Sequence, residues 1–240
     1  MDGQGCCGTN CANFSNDPLN CGGCGHICGL GEACVAAACR FVGAGGTYSV
    51  GASTQPYVDA CASPGHSGLP IYADDATATF RLPFPFTFFG CTEIDAWASS
   101  NGVVGIGSAP SNEYNNICLP DRVALRGTIL AFWDDLQVRD GICTLSTGMP
   151  GNRLFVVQWK NAYLYSNDTA ARLDFEVILH EGTNIIDVVY QNMTDGTEPG
   201  RATGSSATIG LVDALGAGAV QFSCNTSVLH PPQAIRFVPR

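Results

Sequence analysis

Cysteines are concentrated at the start of the chain, and this feature most limits how the chain can fold. Eight of the thirteen cysteines lie in the first forty residues, several of them in the run NCGGCGHICGLGEAC that begins at Asn20. Aliphatic side chains are only scattered through this segment, so it cannot bury enough apolar surface to fold without cross-links. The eight residues are Cys6, Cys7, Cys11, Cys21, Cys24, Cys28, Cys34 and Cys39.

These cysteines are better suited to disulfides than to a metal. Cys21 and Cys24 have a zinc-like spacing, but a zinc site generally needs a second such pair. Cys6 and Cys7 are adjacent and cannot easily bind one ion together, and an iron–sulfur cluster would leave four or five cysteines without a role. An even number in a short, loop-rich segment fits four disulfides, each worth roughly 2–4 kcal/mol. We therefore expect an oxidising compartment, outside the cell or at its surface.

The charge balance narrows the choice of partners. Acidic residues outnumber basic ones 21 to 11, giving a net charge of −10, and Lys160 is the single lysine. This balance argues against nucleic acid or an anionic membrane surface as a partner. No apolar run approaches the ~20 residues that a transmembrane helix needs, so we expect no membrane insertion. The partners expected instead are other extracellular proteins, a second copy of the chain, or glycans.

Two further features bear on secretion. The first residues, MDGQGCC, lack the basic start and apolar core of a signal peptide, so secretion would require a leader that is already removed or is absent from this sequence. Four Asn-x-Ser/Thr sequons permit glycosylation of an exported chain without proving it. The sequons begin at Asn13, Asn167, Asn192 and Asn225.

The composition changes near residues 40 to 46, where a glycine-rich joint follows the last clustered cysteine. We predict a cysteine-rich, disulfide-stapled module over residues 1–42 and a β-domain over residues 43–240. The second part consists of short apolar runs separated by turn signals, which is typical of an all-β antiparallel sandwich. In RLDFEVILHE, residues 172–181, apolar and polar side chains alternate as in a half-buried strand. The pair Asn101–Gly102 predicts a hairpin turn, and no amphipathic helix is evident.

Both parts resemble known extracellular families. The segment from Tyr48 to Arg240 resembles a nidogen-like β-domain, through FPFTFFG, SSNGVVGIG, AFWDDL, RLFVVQWKN, LDFEVILHEGTNIIDVVY, ATIGLVD and QFSCN…AIRFVP in that order. The first forty residues are similar to the cysteine-rich repeat of stigma-specific plant proteins and its bacterial relatives, through SNDPLNCGGCGHIC…GEAC…C. Both resemblances imply secretion and a structural or adhesive role. Neither implies catalysis.

The nidogen-like resemblance also bears on the five later cysteines. It implies a domain-spanning bridge between Cys118 and Cys224, because NICLP and FSCNT resemble the bridged positions of the bacterial relatives. We expect Cys91 to pair with Cys143. Cys61 is then left as a free thiol or a bond to another subunit; it could equally pair with the first module and leave a different cysteine over.

Carboxylates offer one candidate metal site. In FWDDL, Asp134 and Asp135 occupy opposite faces of a strand, and one of them is a candidate calcium ligand with help from Asp140 or from Asp74–Asp75. The alternative is that one caps a turn or pairs with an arginine. Calcium is the one cofactor that we consider.

The sequence contains no recognisable catalytic centre. The four histidines form neither His-Glu-x-x-His nor His-x-His, and the neighbours His66 and Ser67 lack a Gly-x-Ser-x-Gly elbow. No pair of acids stands out as glycosidase carboxylates. We therefore expect a protein that is not an enzyme.

Tyrosines in polar loops are the candidates for a binding surface. Tyr163 and Tyr165 would share one face of an extended segment, and Tyr114 lies in the polar run SNEYNN. We therefore predict a secreted or cell-surface protein for adhesion or extracellular structure. Two alternatives stay open: a subunit that self-assembles into a filament or surface layer by strand addition and an intermolecular disulfide, and a carbohydrate-binding or hydrolase-accessory module.

Overall fold

The chain forms two compact units, residues 1–45 and residues 46–240. The structure is a computed structural model, and it describes residues 4–7, 10–17, 19–28, 32–35, 37–41, 47–120, 125–165, 168–216 and 218–240.

The first unit is built from two short hairpins and four disulfides. Strand β1 (Gln4–Cys7) pairs with β2 (Asn10–Asn13), and β3 (Glu32–Val35) pairs with β4 (Ala38–Phe41). The eight cysteines form four bonds inside the unit, so covalent links replace the apolar core that the sequence lacks. The bonds are Cys6–Cys11, Cys7–Cys24, Cys21–Cys34 and Cys28–Cys39.

In the residues that the structure describes, the second unit is almost entirely β-structure, with one 3₁₀ turn at Ala60–Ala62. Its strands are β5 (Tyr48–Ser53), β6 (Ser67–Leu69), β7 (Thr77–Phe88), β8 (Cys91–Ser99), β9 (Val103–Ile106), β10 (Thr128–Trp133), β11 (Leu136–Val138), β12 (Ile142–Thr147), β13 (Leu154–Leu164), β14 (Asp168–His180), β15 (Ile186–Thr194), β16 (Thr208–Val212), β17 (Ala219–Cys224) and β18 (Gln233–Pro239). Among the residues described, none belongs to a helix with the length and apolar character needed to span a bilayer.

The strands form two antiparallel sheets that enclose one apolar core. A six-stranded sheet has the order β17-β16-β10-β9-β8-β7, and an eight-stranded sheet has the order β5-β18-β15-β14-β13-β12-β6, with β11 paired to β13. The main buried cluster takes side chains from both sheets, as in a sandwich whose two inner faces pack together. The predicted fold class, an all-β antiparallel sandwich, is confirmed.

The alternation that the sequence shows in β14 is the alternation of its two faces. Phe175 and Val177 are fully buried in the core, and the Phe175 ring stacks on Trp159 of β13 at a centroid distance of 4.9 Å. Glu176, between them, faces the outer side of the eight-stranded sheet. Because successive side chains of a strand point to opposite faces, one register fixes both surfaces of this sheet.

The predicted hairpin turn at Asn101–Gly102 is confirmed, and Pro83 and Pro85 lie in an edge strand. Asn101 and Gly102 turn β8 into β9, and a Cβ on Gly102, which has φ of +72°, would lie 2.1 Å from the Phe132 carbonyl oxygen. Strand β7 is an edge strand, and its pairing with β8 is interrupted between Arg81 and Phe86, around the two prolines. Proline cannot donate to a ladder, so this edge suits it.

The later cysteines pair differently from the expectation in one respect. Cys118 is bonded to Cys224, and Cys61 is bonded to Cys143. Cys91 is a buried thiol. The expected Cys91–Cys143 pair and the unpaired or intermolecular Cys61 are therefore wrong. The reason is topological: Cys91 begins a strand of the six-stranded sheet, whereas Cys143 lies in the other sheet and packs in a cluster on its outer side.

Candidate functional site

Four aspartates gather at one end of the sandwich, which we call the acidic end. Asp74 and Asp75 lie in the turn that precedes β7, and Asp134 and Asp135 lie between β10 and β11. The two segments are far apart in sequence, but the hairpin turn at Asn101 lies between them and bonds to both. This end is the strongest concentration of chemically active side chains in the described part of the sandwich.

Asn101 organises the acidic end. It is fully buried, and its side-chain Nδ2 donates to Asp75 Oδ1 at 2.9 Å and to the carbonyl oxygen of Asn112 at 3.3 Å. Its Oδ1 accepts the backbone N–H of Leu136 at 3.0 Å. One amide therefore fixes an aspartate, a neighbouring loop and the start of β11.

Three carboxylates converge at this end. One oxygen each of Asp74, Asp75 and Asp135 lies within 4.8 Å of the others. Asp74 Oδ1 is buried and has no hydrogen-bond partner among the described residues. Oxygen ligands clustered in this way are what a hard cation such as calcium prefers.

The other two predicted ligands lie outside this group. Asp134 is buried and accepts a hydrogen bond of 2.5 Å from the Ser206 hydroxyl, with Arg201 at 3.5 Å. Asp140 is exposed and accepts a hydrogen bond from the side chain of Asn161 at 2.9 Å. A site that includes Asp134 or Asp140 is therefore wrong, whereas the alternative in which Asp74 and Asp75 join one aspartate of FWDDL describes the cluster. Neighbouring residues leave this strand exit in different directions, and Asp135 alone joins Asp74 and Asp75.

The crowding of like charges changes how these acids titrate. The pKa of Asp135 is raised to about 6 by burial and then by the negative charges of Asp74, Asp75 and Asp134. The pKa of Asp74 is also raised, by burial and by Asp75. Burial raises the pKa of Asp134 against the opposing effects of Ser206 and Arg201. A cation bound here would relieve the repulsion.

Exposed tyrosines flank the acidic end. The backbone N–H of Tyr165 donates to the Asp135 carbonyl oxygen at 2.9 Å, and Tyr165 is 45% exposed. Tyr114, 42% exposed, lies in the loop that Asn101 holds. Tyr163 differs from the prediction, because its ring lies under the Arg139 guanidinium at 4.0 Å and its hydroxyl bonds to Gln137. Tyr72, 84% exposed and two residues before Asp74, was missed; a tyrosine beside an Asp pair in a polar loop was the available signal.

The loop that carries Tyr114 is held at several points. Trp133 Nε1 donates to the Glu113 carbonyl oxygen at 2.9 Å, and Leu119 N–H donates to Gln221 at 2.6 Å. The Cys118–Cys224 disulfide ties the same loop to β17. Little ordering is therefore needed when this loop meets a partner.

The sequons lie in different settings. Asn192 and Asn225 are exposed, and both side chains take part in hydrogen bonds, to Asp174 and from Asn116 respectively. Asn13 lies in β2 with its side chain half-buried, and its Oδ1 accepts the Ser15 N–H. Asn167 lies outside the described residues.

Comparison with known protein families identifies the family of the second unit. A family model described as NIDO related matches residues 47–235, which is most of the chain. The chain belongs to the NIDO-related family. Comparison with curated proteins and with solved structures gives no match. The NIDO-related domain thus begins just before β5 and extends into β18, and it contains the whole acidic end. Membership of this family and the number of disulfides are both typical of extracellular proteins.

Proposed function

We propose that this protein is secreted or displayed at the cell surface, has no catalytic activity, and serves adhesion or extracellular structure by binding other proteins or glycans. The acidic end carries the proposal, because exposed tyrosines, one of them on a braced loop, flank a cluster of carboxylates. Aromatic side chains are enriched where proteins recognise partners, and acidic groups favour a basic partner surface. The resemblance of the first unit to stigma-specific proteins stays a prediction that agrees with this role.

A binding assay with paired variants tests the proposal. The full chain is presented to a panel of immobilised extracellular-matrix proteins and to a glycan array, and we expect it to bind at least one. Replacing Tyr114 and Tyr165 together with alanine should weaken that binding about tenfold or more, which is the loss of a single modest hot spot. Met149→Ala is the control, because Met149 is 77% exposed in the β12–β13 turn. Full retention of binding in the tyrosine variant, or no binding to either panel, would refute the proposal.

Calcium is the ligand that we propose for Asp74, Asp75 and Asp135. The convergence of their oxygens and the buried Asp74 Oδ1 without a described partner support it. Because the pKa of Asp135 is raised to about 6, a proton competes with the ion, so calcium affinity should fall as the pH drops through about 6. Sites of extracellular modules typically have Kd values of about 10⁻⁴–10⁻³ M.

Thermal unfolding with and without calcium tests this site. At pH 7.5 and a calcium concentration about ten times Kd, we expect Tm to rise by about 3–6 °C. Asp135→Asn should abolish the rise, whereas Asp140→Asn should keep it, since Asp140 lies with Asn161 away from the cluster. An unchanged Tm in the native protein, or an equal rise in both variants, would show that the three carboxylates hold no calcium.

Self-assembly is the second candidate function, and Cys61 would not supply its intermolecular disulfide, since Cys61 is bonded to Cys143 of the same chain. Strand addition at a sheet edge would still give a native mass above that of one chain, which persists under reduction. The carbohydrate-binding alternative is decided by the glycan array of the first experiment.

A further inference from the structure

One segment of the NIDO-related domain crosses the outer face of the eight-stranded sheet. Residues 54–66, here called the strap, connect β5 at one edge of this sheet to β6 at the other edge. Six strand spacings separate these edges, a distance of about 29 Å, which thirteen residues can span with slack. The strap therefore lies over the strands between the edges.

The strap follows one lateral row of outward-facing residues. The register places Cys143, Gln158, Glu176, Val189 and Ala234 opposite one another on successive strands. Tyr57, Val58, Ala60 and Cys61 of the strap pack with apolar members of this face, such as Val156 and Ile178. The contact area between the strap and the sheet is small, because a single extended segment makes it.

Two backbone groups of the strap bond to buried side chains of this row. Val58 N–H donates to Glu176 Oε1 at 2.8 Å, and Cys61 N–H donates to Gln158 Oε1 at 2.7 Å. Gln158 also donates to the Tyr57 hydroxyl. Asp59 pairs with Lys160 at 2.8 Å, but both side chains are partly exposed, so this pair contributes little.

One buried hydrogen-bonding atom under the strap lacks a partner among the described residues. Glu176 is 0% exposed, and its Oε2 has no hydrogen-bond partner among the described residues. A buried carboxyl oxygen without a partner costs free energy whether it is charged or protonated, and water would satisfy it if the strap lifted. The Cys61–Cys143 disulfide opposes lifting, because it joins the middle of the strap to β12.

We propose that residues 54–66 are a redox-released strap, which covers the outer face while Cys61–Cys143 is oxidised and detaches when this bond is reduced, with the sandwich still folded. A dithiol supplies two electrons and becomes a disulfide itself, the S–S bond breaks, and each cysteine sulfur takes up one proton. The sandwich survives because its main core lies on the other face of the sheet and includes no strap residue. Release uncovers an apolar strip with Glu176 and Gln158, a surface present only in the reduced protein. This inference does not depend on the adhesive role.

Amide hydrogen exchange tests the strap directly, because the N–H groups of residues 58 and 61 are bonded only when the strap is seated. In Cys61→Ser/Cys143→Ser we expect these two amides to exchange at least about 30-fold faster, the effect of losing about 2 kcal/mol at 1.4 kcal/mol per factor of ten. The exchange rates of the core amides at Val177 and Val188 should change by less than about threefold, because the core does not depend on the strap. Cys118→Ser/Cys224→Ser is the control. In this variant the exchange rates of residues 58 and 61 should change as little as those of the core amides.

Two results would overturn the proposal. Native protection of residues 58 and 61 without the disulfide would mean that noncovalent contacts hold the strap. Equal acceleration of strap and core would mean that the bond braces the whole sandwich. If the double variant fails to fold, the folded native chain is reduced with a dithiol and alkylated; alkylation of Cys61 and Cys143 with loss of strap protection alone supports the strap, and any other pattern refutes it.

Discussion

Replacing Glu176 with glutamine is expected to stabilise the protein at alkaline pH. Burial, with a smaller contribution from the charge of Asp59, raises the pKa of Glu176 from its ordinary 4.5 to about 8. The folded protein therefore keeps a proton that the unfolded chain loses above pH 4.5. The free energy of unfolding must fall as the pH rises from about 4.5 to 8, at up to roughly 1.4 kcal/mol per pH unit, and then level off.

Glutamine removes this dependence because it is neutral and still accepts the Val58 N–H. Urea unfolding at pH 9 should show Glu176→Gln up to about 5 kcal/mol more stable than the native chain, and the two should converge toward pH 4.5. Other titratable groups in this part of the face are Asp59 and Tyr57 of the strap, Asp174 and Lys160; the variant leaves them in place.

Glu181→Gln is the matched control for Glu176. The pKa of Glu181 is lowered to about 2, chiefly by its hydrogen bond with Arg153, so neutralising it should weaken the fold instead of strengthening it. If Glu176→Gln leaves the pH profile unchanged, Glu176 is ionised and hydrated in the native protein, and the strap is not seated over it.

Asp187 is expected to behave in the opposite way. It lies on the same outer face, in β15, two strands from the edge strand β5, and it is 0% exposed. Its carboxylate accepts hydrogen bonds from Arg236 at 2.9 and 2.7 Å and from His180 Nε2 at 2.7 Å. Burial alone would raise the pKa of Asp187, but hydrogen bonds from His180, Arg236 and Ser53 together outweigh it and lower it to about 2. Its stabilising effect is therefore complete above pH 4 and is lost as the pH falls toward 2.

Asp187→Ala should reduce the free energy of unfolding at pH 7 by about 3 kcal/mol, since it breaks a buried pair and leaves Arg236 without its anion. The Arg81–Asp95 pair provides the comparison, because its side chains are 70% and 74% exposed. Asp95→Ala should change stability by less than about 0.5 kcal/mol. Equal urea midpoints for the two variants would contradict the assignment of Asp187 as a structural anchor.

Local patterns predicted the sandwich well because its strands carry their own signals. The alternation in β14 and the Asn101–Gly102 turn depend on neighbours in sequence, and pleat and turn geometry convert them directly into structure. The polar face of β14 was also recognised, with Glu176 on it. What alternation cannot show is that another part of the chain covers this face, so a buried acid looked like a solvent-exposed one.

The carboxylate site and the disulfides were harder to predict, because they depend on segments that are far apart in the sequence. Cys61 and Cys143 are 82 residues apart and meet only because the strap crosses the sheet. The acidic end requires the turn before β7 and the exit of β10 to meet at Asn101, which no local pattern specifies. Asp74, Asp75 and Asp135 were all candidates from the sequence, but the choice of these three over Asp134 and Asp140 follows from the topology.

A disulfide map of native protein tests the central claim most directly. Thiols are alkylated before digestion, and the peptides are analysed by non-reducing mass spectrometry together with the native mass. An oxidised extracellular domain predicts six disulfides, including Cys61–Cys143 and Cys118–Cys224, with alkylation at Cys91 alone once the chain is unfolded. Reduced cysteines in the first forty residues, carrying zinc or iron in the native mass, would contradict the account.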